Sequence, residues 1–313
     1  MRFYVGVTDN KWFEYLAGLQ PDEVNFWRPS GKGFSTIQPG APFLFKLHSP
    51  LNYVVGGGFF VRAEKMPLSW AWETFGPKNG AGDRNAFEML IRRHRGNAEI
   101  DPSIGCVTLN QPFFIPREHW LPAPEDWSTN IVTGKTYDDS ELIGRRLWNS
   151  VQPWLPRFQF AEQTGMTNGG VSESPRLYGS DYLTRSRLGQ GAFRVLVTGA
   201  YGKRCAVSGE RTLPVLQASH IKPYGKGPNQ VCNGLLLRSD LHILFDRGYV
   251  TVTPGCRVEV SKRIKAEYEN GRDYYKFHGN PLVVLPASAS DRPRADYLRW
   301  HNEEVFLGAA GRH

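Results

Sequence analysis

The chain has 313 residues, of which 40% are hydrophobic and 22% charged, a composition typical of globular proteins and sufficient for two domains. No stretch approaches the roughly 20 apolar residues that span a bilayer, and the first residues lack the apolar core of a secretory signal. We therefore expect a cytoplasmic protein with no membrane partner. The net charge is +8. Residues 1–185 carry equal numbers of basic and acidic side chains, so the whole excess lies in 186–313 and suggests a polyanionic partner for that half.

The four cysteines, at positions 106, 205, 232 and 256, lie far apart and form no C-x-x-C pair. In the segment "CAVSG" (205–209), Ser208 stands where a zinc knuckle would have a second cysteine. We therefore expect no structural zinc and reduced thiols.

Alternating and helical patterns organise the first half. They predict strands at 2–8, 43–49, 53–66 and 104–115, and helices at 69–76, 84–96 and within 139–154. Three consecutive glycines in the segment 53–66 indicate a bulge or a close backbone approach. Residues 163–186 are rich in Gly, Ser and Thr without periodicity, which predicts an exposed linker.

A second set of elements follows the linker. The patterns predict a helix at 191–202, strands at 213–221 and 233–238 around a loop at 222–230, a helix at 239–248, and a hairpin formed by 249–254 and 257–264. Ser239 or Asp240 can cap the helix at 239–248, and Gly248 can end it.

This order of strand, loop, strand and helix brings His220, Asn233 and His242 together, with Asp246 one turn beyond His242 on the same helix face. Hydrolysis of a phosphodiester needs a base for water and a Lewis acid for the leaving oxygen. A neutral imidazole suits the first role because its pKa lies near working pH. A helix-borne His aided by a carboxylate can hold a divalent metal ion, and an Asn side chain can fix the loop that carries the base.

The segments "CAVSG", "ASHI" and "NGLLLRSDLHILFDRGYV" together resemble an HNH endonuclease of the ββα-metal fold, over about residues 187–265. The resemblance implies that His220 is the general base, Asn233 the orienting residue and His242 a metal ligand. It also implies a divalent metal cofactor, Mg or Mn, with Ni, Co or Zn as further options. Many HNH enzymes have an acidic residue or a second His before the base, where this chain has Ser219. Asp246 is our candidate for a compensating ligand, and Asp240 is a weaker one.

Taken singly, His220 or His242 would more often be a structural histidine than a catalytic one, and "NG" would be only a turn. Their order and spacing favour the nuclease interpretation. The candidate contacts to DNA are the basic residues in and around this motif: Lys222, Lys226, Arg238 and Arg247.

Residues 1–135 are charge-balanced and rich in aromatic residues, as in "NFWRPSG", "FLFKLHS" and "SWAW". A base swung out of a duplex is held by stacking between aromatic or apolar side chains. "RFYVGVTD", "VNFWRPSG" and the glycine-rich strand are similar to the PUA-like superfamily that includes EVE, YTH and SRA readers. The resemblance implies a small barrel-like domain that flips a modified base. The candidate pocket residues are Trp27, Trp70, Trp72 and Asp83, although each Trp could be a core residue and Asp83 could cap the helix that starts at Arg84.

The expected architecture is α+β. It comprises a PUA-like β-barrel reader with helices (1–135), a helix and flexible linker (136–186), a ββα-metal HNH nuclease (187–285) and a C-terminal tail packed on the nuclease (286–313). The expected function is a modification-dependent restriction endonuclease that recognises 5-methylcytosine or 5-hydroxymethylcytosine in double-stranded DNA by base flipping. A homodimer would allow both strands to be cut. The alternatives are a non-catalytic binder of modified nucleic acid with a degenerate HNH clamp, and an RNA-directed nuclease.

Overall fold

A computed structural model describes residues 1–30, 33–95, 99–155, 188–223 and 227–308, without the side chain of His94. The predicted linker at 163–186 lies outside the described residues. The chain divides into two compact units, Met1–Ala192 and Phe193–His313.

The first unit is built on one mixed sheet. Its strands are β1 (Arg2–Thr8), β2 (Glu23–Arg28), β3 (Pro42–Leu47), β4 (Tyr53–Pro67), β5 (Ser103–Phe114), β6 (Leu121–Pro122) and β7 (Gly134–Asp138). The strand order is β2-β5-β4-β3-β1-β7, and β6 pairs with β4. β1 and β3 run parallel, and the other pairs are antiparallel.

The three glycines of β4 lie where neighbouring backbones approach closely, as the sequence predicted. The pairing of β4 with β5 shifts register between Gly57 and Phe59. A Cβ atom at Gly56 would lie 2.3 Å from the carbonyl oxygen of Phe113. Any larger residue at Gly56 would therefore push β5 away, because the atom that it would meet belongs to the backbone and not to a flexible side chain.

Between residues 1 and 155, the described part of this unit contains four α-helices: α1 (Asn10–Leu19), α2 (Leu68–Phe75), α3 (Arg84–Arg95) and α4 (Leu142–Val151). Asp9 caps α1, since its Oδ1 accepts hydrogen bonds from the backbone N–H groups of Lys11 and Trp12. β7 pairs with β1, and Trp148 of α4 packs against the buried Phe3. The compact unit therefore continues past residue 135, where the sequence placed the end of the first domain.

The second unit contains short strands and helices around a core of its own. Its elements are α5 (Gln190–Ala200, which begins just before the boundary), β8 (Leu216–His220), β9 (Gly234–Arg238), α6 (Ser239–Asp246), β10 (Val250–Val252), β11 (Val258–Val260), α7 (Arg263–Tyr268), α8 (Arg272–Tyr275) and α9 (Ala295–Glu304). β8 pairs antiparallel with β9, and β10 with β11. The predicted strand–loop–strand–helix order is present.

The start of α6 differs from the prediction. Arg238 occupies the N-cap position, and no side-chain hydrogen bond caps the helix there. Asp240 instead forms a two-pronged ion pair with Arg238, in which both nitrogen–oxygen distances are 2.7 Å. Neither Ser239 nor Asp240 therefore acts as the N-cap.

Both units combine sheets with helices, so the predicted α+β class is confirmed. Within the described ranges, no helix has the length and apolar character needed to cross a membrane.

Candidate active site

His220 ends β8 and lies opposite Gly234, the first residue of β9. Its ring stacks on Phe193 of α5, with 3.8 Å between ring centroids and 9° between ring planes. Nε2 lies 2.5 Å from Oδ1 of the buried Asn229. Since an amide oxygen only accepts, Nε2 carries the proton and donates it, which leaves the basic lone pair on Nδ1. The imidazole is thus held in one orientation and one tautomer.

Burial lowers the pKa of His220 below its usual value of 6.5, and three neighbouring groups modify this effect. The hydrogen bond to Asn229 and the charge of Asp246 raise the pKa, whereas the charge of His242 lowers it. The imidazole is therefore neutral near pH 7, as a general base must be. Contacts of β8 with α6 place these groups in one local site, because Ser219, next to His220, contacts Asp246 and Gln217 contacts His242.

Asn233 locks the loop between β8 and β9. Its side chain is completely buried. The amide Oδ1 accepts from the backbone N–H of Lys222 at 2.9 Å, and Nδ2 donates to the carbonyl oxygens of Lys222 and Pro228, each at 3.0 Å. Both ends of the loop are therefore fixed by one side chain, just beyond His220.

His242 and Asp246 form a pair on α6. His242 Nε2 lies 3.1 Å from Asp246 Oδ2, and the Asp246 side chain is 56% exposed. On the other side of the ring, Nδ1 lies 2.6 Å from Oε1 of Gln217 on β8. Because an amide oxygen accepts, Nδ1 donates its proton to Gln217, and Nε2 is the ring nitrogen that meets the carboxylate. At this separation, either a proton on Nε2 or a cation bound by both side chains can bridge Nε2 and Oδ2.

Ser219, which stands where many HNH enzymes have a ligand, is fully buried. Its hydroxyl donates to Oδ1 of Asp246 at 3.4 Å. In this chain the position before His220 therefore orients the carboxylate of α6 and supplies no strong ligand of its own.

The donor set of His242 and Asp246 fits a divalent cation. Two ligands at adjacent positions of an octahedral ion lie about 3 Å apart, because each lies about 2.1 Å from the ion. Among the described residues, no group of three or more His, Cys, Asp and Glu side chains could hold a metal ion. A two-residue site leaves most positions to water and phosphate oxygens, which is how Mg²⁺ is usually bound.

The predicted DNA contacts differ in their surroundings. Lys222 begins the loop between β8 and β9, which we call the base loop, and lies beside two aromatic rings of α9. The charge of Arg238 is paired with Asp240, and this ion pair raises the pKa of the guanidinium. Arg247 is exposed directly after Asp246, and Lys226 lies outside the described residues.

The first unit contains a cavity of about 900 Å³. Three aromatic residues line it: Trp12, Phe26 and Trp27. Its polar lining includes Thr8, Asp9, Arg28, His48 and Arg95. Two arginines and one aspartate line the cavity, which gives its charged lining a net positive sign, and Arg95 also lies 3.7 Å from Glu99.

Of the four predicted pocket residues, Trp27 lines this cavity and the other three do not. Trp70 is 3% exposed and belongs to the core, since α2 turns its apolar face inward. Trp72 packs against Phe87 of α3, with 6.0 Å between ring centroids. Asp83 accepts a hydrogen bond from the N–H of Ala86 and so caps α3. Of these candidates, the structure places Trp27 at this cavity and the other three at other positions in the first unit.

Sequence reasoning missed three residues that position the candidate catalytic groups: Phe193, Gln217 and Asn229. Asn229 lies in the loop "GPNQ", where its type predicts only a turn. Gln217 lies two positions before Ser219 on an exposed part of β8, and only the fold reveals that it meets His242. Trp12 of the cavity was missed because α1 was not predicted.

Comparison with known proteins agrees with this geometry. Residues 205–253 match the family model for HNH endonucleases, so the chain carries an HNH endonuclease domain, and the predicted resemblance is confirmed. No curated protein is similar enough in sequence to match the chain.

Two solved structures are similar to larger parts of the chain. An ASCH protein from Zymomonas mobilis is 12% identical over 47% of this chain and 94% of its own, with a TM-score of 0.32. The modification-dependent restriction endonuclease TagI is 14% identical over 91% of this chain and 75% of its own, with a TM-score of 0.26.

Proposed function

We propose that the protein is a modification-dependent restriction endonuclease. Its first unit binds a modified cytosine, 5-methylcytosine or 5-hydroxymethylcytosine, flipped out of double-stranded DNA. Its second unit hydrolyses a phosphodiester bond of the same DNA. The observation that carries the proposal is an imidazole held in one orientation, His220, at the end of a strand whose Gln217 and Ser219 contact the pair formed by His242 and Asp246.

In this proposal Nδ1 of His220 accepts the proton of the attacking water. The ring gains positive charge as the proton arrives, and the Nε2–H bond to Asn229 then strengthens because its donor is charged. Stacking on Phe193 keeps the ring plane fixed while its charge changes. Asn233 acts at a distance from the reacting atoms by holding the loop that follows the base.

His242 and Asp246 would hold the divalent ion. When bound, such an ion neutralises charge on the phosphate and stabilises the leaving oxygen. Gln217 fixes the tautomer of His242 that presents a lone pair at Nε2, and the Ser219 hydroxyl orients Asp246. Since the pair leaves room for solvent and phosphate, Mg²⁺ or Mn²⁺ is the proposed cofactor.

The cavity of the first unit is the proposed pocket for the flipped base. Its aromatic lining can stack on a base, as flipped bases require. Arg28 and Arg95 supply positive charge that suits the phosphates on either side of an extruded nucleotide. Trp27 is anchored by its indole N–H, which donates to the carbonyl oxygen of Asn79 at 2.9 Å. Its ring is therefore already placed before a ligand arrives.

The test is cleavage of matched duplexes that carry cytosine, 5-methylcytosine or 5-hydroxymethylcytosine, with Mg²⁺ or Mn²⁺. The proposal expects cutting of a modified duplex by the wild type, loss of cutting in His220→Ala, and normal cutting in the exposed control His119→Ala. Equal cutting of all three duplexes would contradict the proposed recognition of a modified base but not the nuclease activity. Binding without cleavage in any divalent ion would favour a non-catalytic clamp, and preferential cutting of matched RNA would favour an RNA-directed enzyme.

One HNH site cuts one strand, so a double-strand break needs two copies or two events. We propose a homodimer as the form that cuts both strands. Sedimentation of the protein with and without a modified duplex tests this, and a monomer in both conditions would contradict it.

A further inference from the structure

The C-terminal helix α9 lies outside the matched segment 205–253 but is tied to both ends of the candidate site. At its start, the N–H of Arg294 donates to the carbonyl oxygen of Cys232 at 3.1 Å. Cys232 immediately precedes Asn233, which locks the base loop. The first turn of α9 is therefore fixed next to the residue that positions His220.

The last turn of α9 is fixed near Asp246, one of the two candidate metal ligands. His301 is 2% exposed, and its ring stacks on Phe245 with 3.7 Å between ring centroids. Its Nδ1 lies 2.7 Å from the hydroxyl of Thr251, and its Nε2 lies 3.1 Å from the carbonyl oxygen of Phe245. Phe245 immediately precedes Asp246. The helix thus joins the two sides of the site through short, buried contacts.

Between these anchors, α9 presents two aromatic rings to a lysine of the base loop. The ammonium nitrogen of Lys222 lies 5.4 Å from the ring centroid of Trp300 and 5.9 Å from that of Tyr297. Both distances are within the range of cation–π attraction. The side chain of Asn233 hydrogen-bonds to both the N–H and the carbonyl oxygen of Lys222. The backbone of Lys222 is therefore restrained by Asn233, and its ammonium group by the two rings.

A ring face holds a cation in a different way from a carboxylate. It attracts the ammonium but accepts no full charge, so the three N–H donors of Lys222 remain suited to a phosphate. Arg238 provides the contrast, because its charge is already matched by the carboxylate of Asp240. Lys222 at the start of the base loop is therefore better placed to neutralise a DNA phosphate than Arg238 at the end of β9.

We propose that α9 contributes to DNA binding by the nuclease. Its Tyr297 and Trp300 are positioning residues that hold Lys222 against a DNA phosphate next to the scissile one. This inference rests on the proposed nuclease function. It assigns to a helix beyond the matched domain a share in binding DNA next to the general base.

The test measures binding of the full-length protein to a duplex that the wild type cuts, in EDTA, between about 50 and 200 mM salt. Lys222→Gln should reduce the magnitude of the slope of log affinity against log salt by about 0.9, the value for one phosphate contact. Trp300→Leu and Tyr297→Leu should each weaken binding by roughly twofold to fivefold at the low-salt end. They should also flatten the slope, and Trp300→Phe should retain most of the wild-type behaviour.

A double variant distinguishes the loss of positioning of Lys222 from a general loss of structure. If the rings act through Lys222, adding Trp300→Leu to Lys222→Gln should have little further effect on the salt slope. The matched control is Phe277→Leu, which removes a ring 5.3 Å from the ammonium of Lys276 and should leave the slope unchanged. Should Trp300→Leu fail to fold, Tyr297→Leu combined with Lys222→Gln gives the same comparison.

Ring variants that fold, bind and show the wild-type salt slope would overturn the inference, as would fully additive losses. A wild-type protein that neither binds nor cuts DNA would instead overturn the proposed function, so the two failures are distinguishable.

Discussion

The hydrogen bond from His220 to Asn229 gives a quantitative prediction about the base. Asn229→Ala removes the acceptor for Nε2–H, which fixes the tautomer and stabilises the ring when it becomes protonated. A hydrogen bond to a charged group contributes about 1.5–3 kcal/mol. Because about 1.4 kcal/mol corresponds to a factor of ten, we expect the single-turnover cleavage rate to fall by roughly 10-fold to 150-fold.

The pH profile gives a second, independent signature of the same bond. Burial already lowers the pKa of His220 below 6.5, and the bond to Asn229 partly offsets that effect. The deprotonated base is the active form, so the rate should rise with pH to a plateau, with a midpoint below 6.5. Loss of the bond should move this midpoint to still lower pH.

The assay is single-turnover cleavage of a modified duplex at saturating protein and metal ion, from acid to neutral pH. The matched control is Asn229→Asp, which keeps an acceptor at the same position, adds negative charge and should move the midpoint to higher pH. DNA affinity should be unchanged in Asn229→Ala. Asn229→Ala protein with the wild-type rate and midpoint would refute the assignment of Nδ1 as the base.

Three further predictions follow from the site and the fold. His242→Ala or Asp246→Asn should raise the Mn²⁺ concentration needed for half-maximal cleavage by about tenfold or more, and an unchanged metal titration would contradict the assigned pair. Trp27→Ala should abolish the preference for modified over plain duplex in a competition digest, whereas Trp72→Ala, outside the cavity, should retain it. Burial lowers the pKa of His301 to about 4, so the unfolded chain binds more protons between pH 6.5 and 4. The free energy of unfolding should therefore fall by about 3 kcal/mol as pH falls through that window. This fall, measured by urea unfolding, should be smaller in His301→Phe than in the wild type. An equal fall in the two proteins would contradict the assignment of the effect to His301.

The sequence was most informative where chemistry depends on residue order. His220, Asn233 and His242 could be selected as candidate catalytic residues because their order along two short strands and one helix predicted that they lie close together. The supporting residues could not be found in this way. Phe193 reaches the base from a preceding helix, and Asn229 does so through the conformation of a loop, neither of which has a periodic pattern.

The first unit was less predictable for a similar physical reason. Its tryptophans are alike in sequence, and only packing separates Trp27, at the cavity, from Trp70, in the core. The segment "GKTYD" is too short to predict a strand, yet it pairs with β1 and extends the first unit. Such short edge elements are determined by the neighbouring strand more than by their own residues.

The attachment of α9 also determines how the nuclease could be exchanged between proteins. A graft that ended at residue 253, or at residue 285, would omit the helix that buries Leu298 and contacts the carbonyl groups of Cys232 and Phe245. An HNH domain transplanted onto another DNA-recognition domain therefore has to extend at least through Glu304. Chimaeras designed from the matched segment alone would carry every candidate catalytic side chain and still lack the support that aligns them.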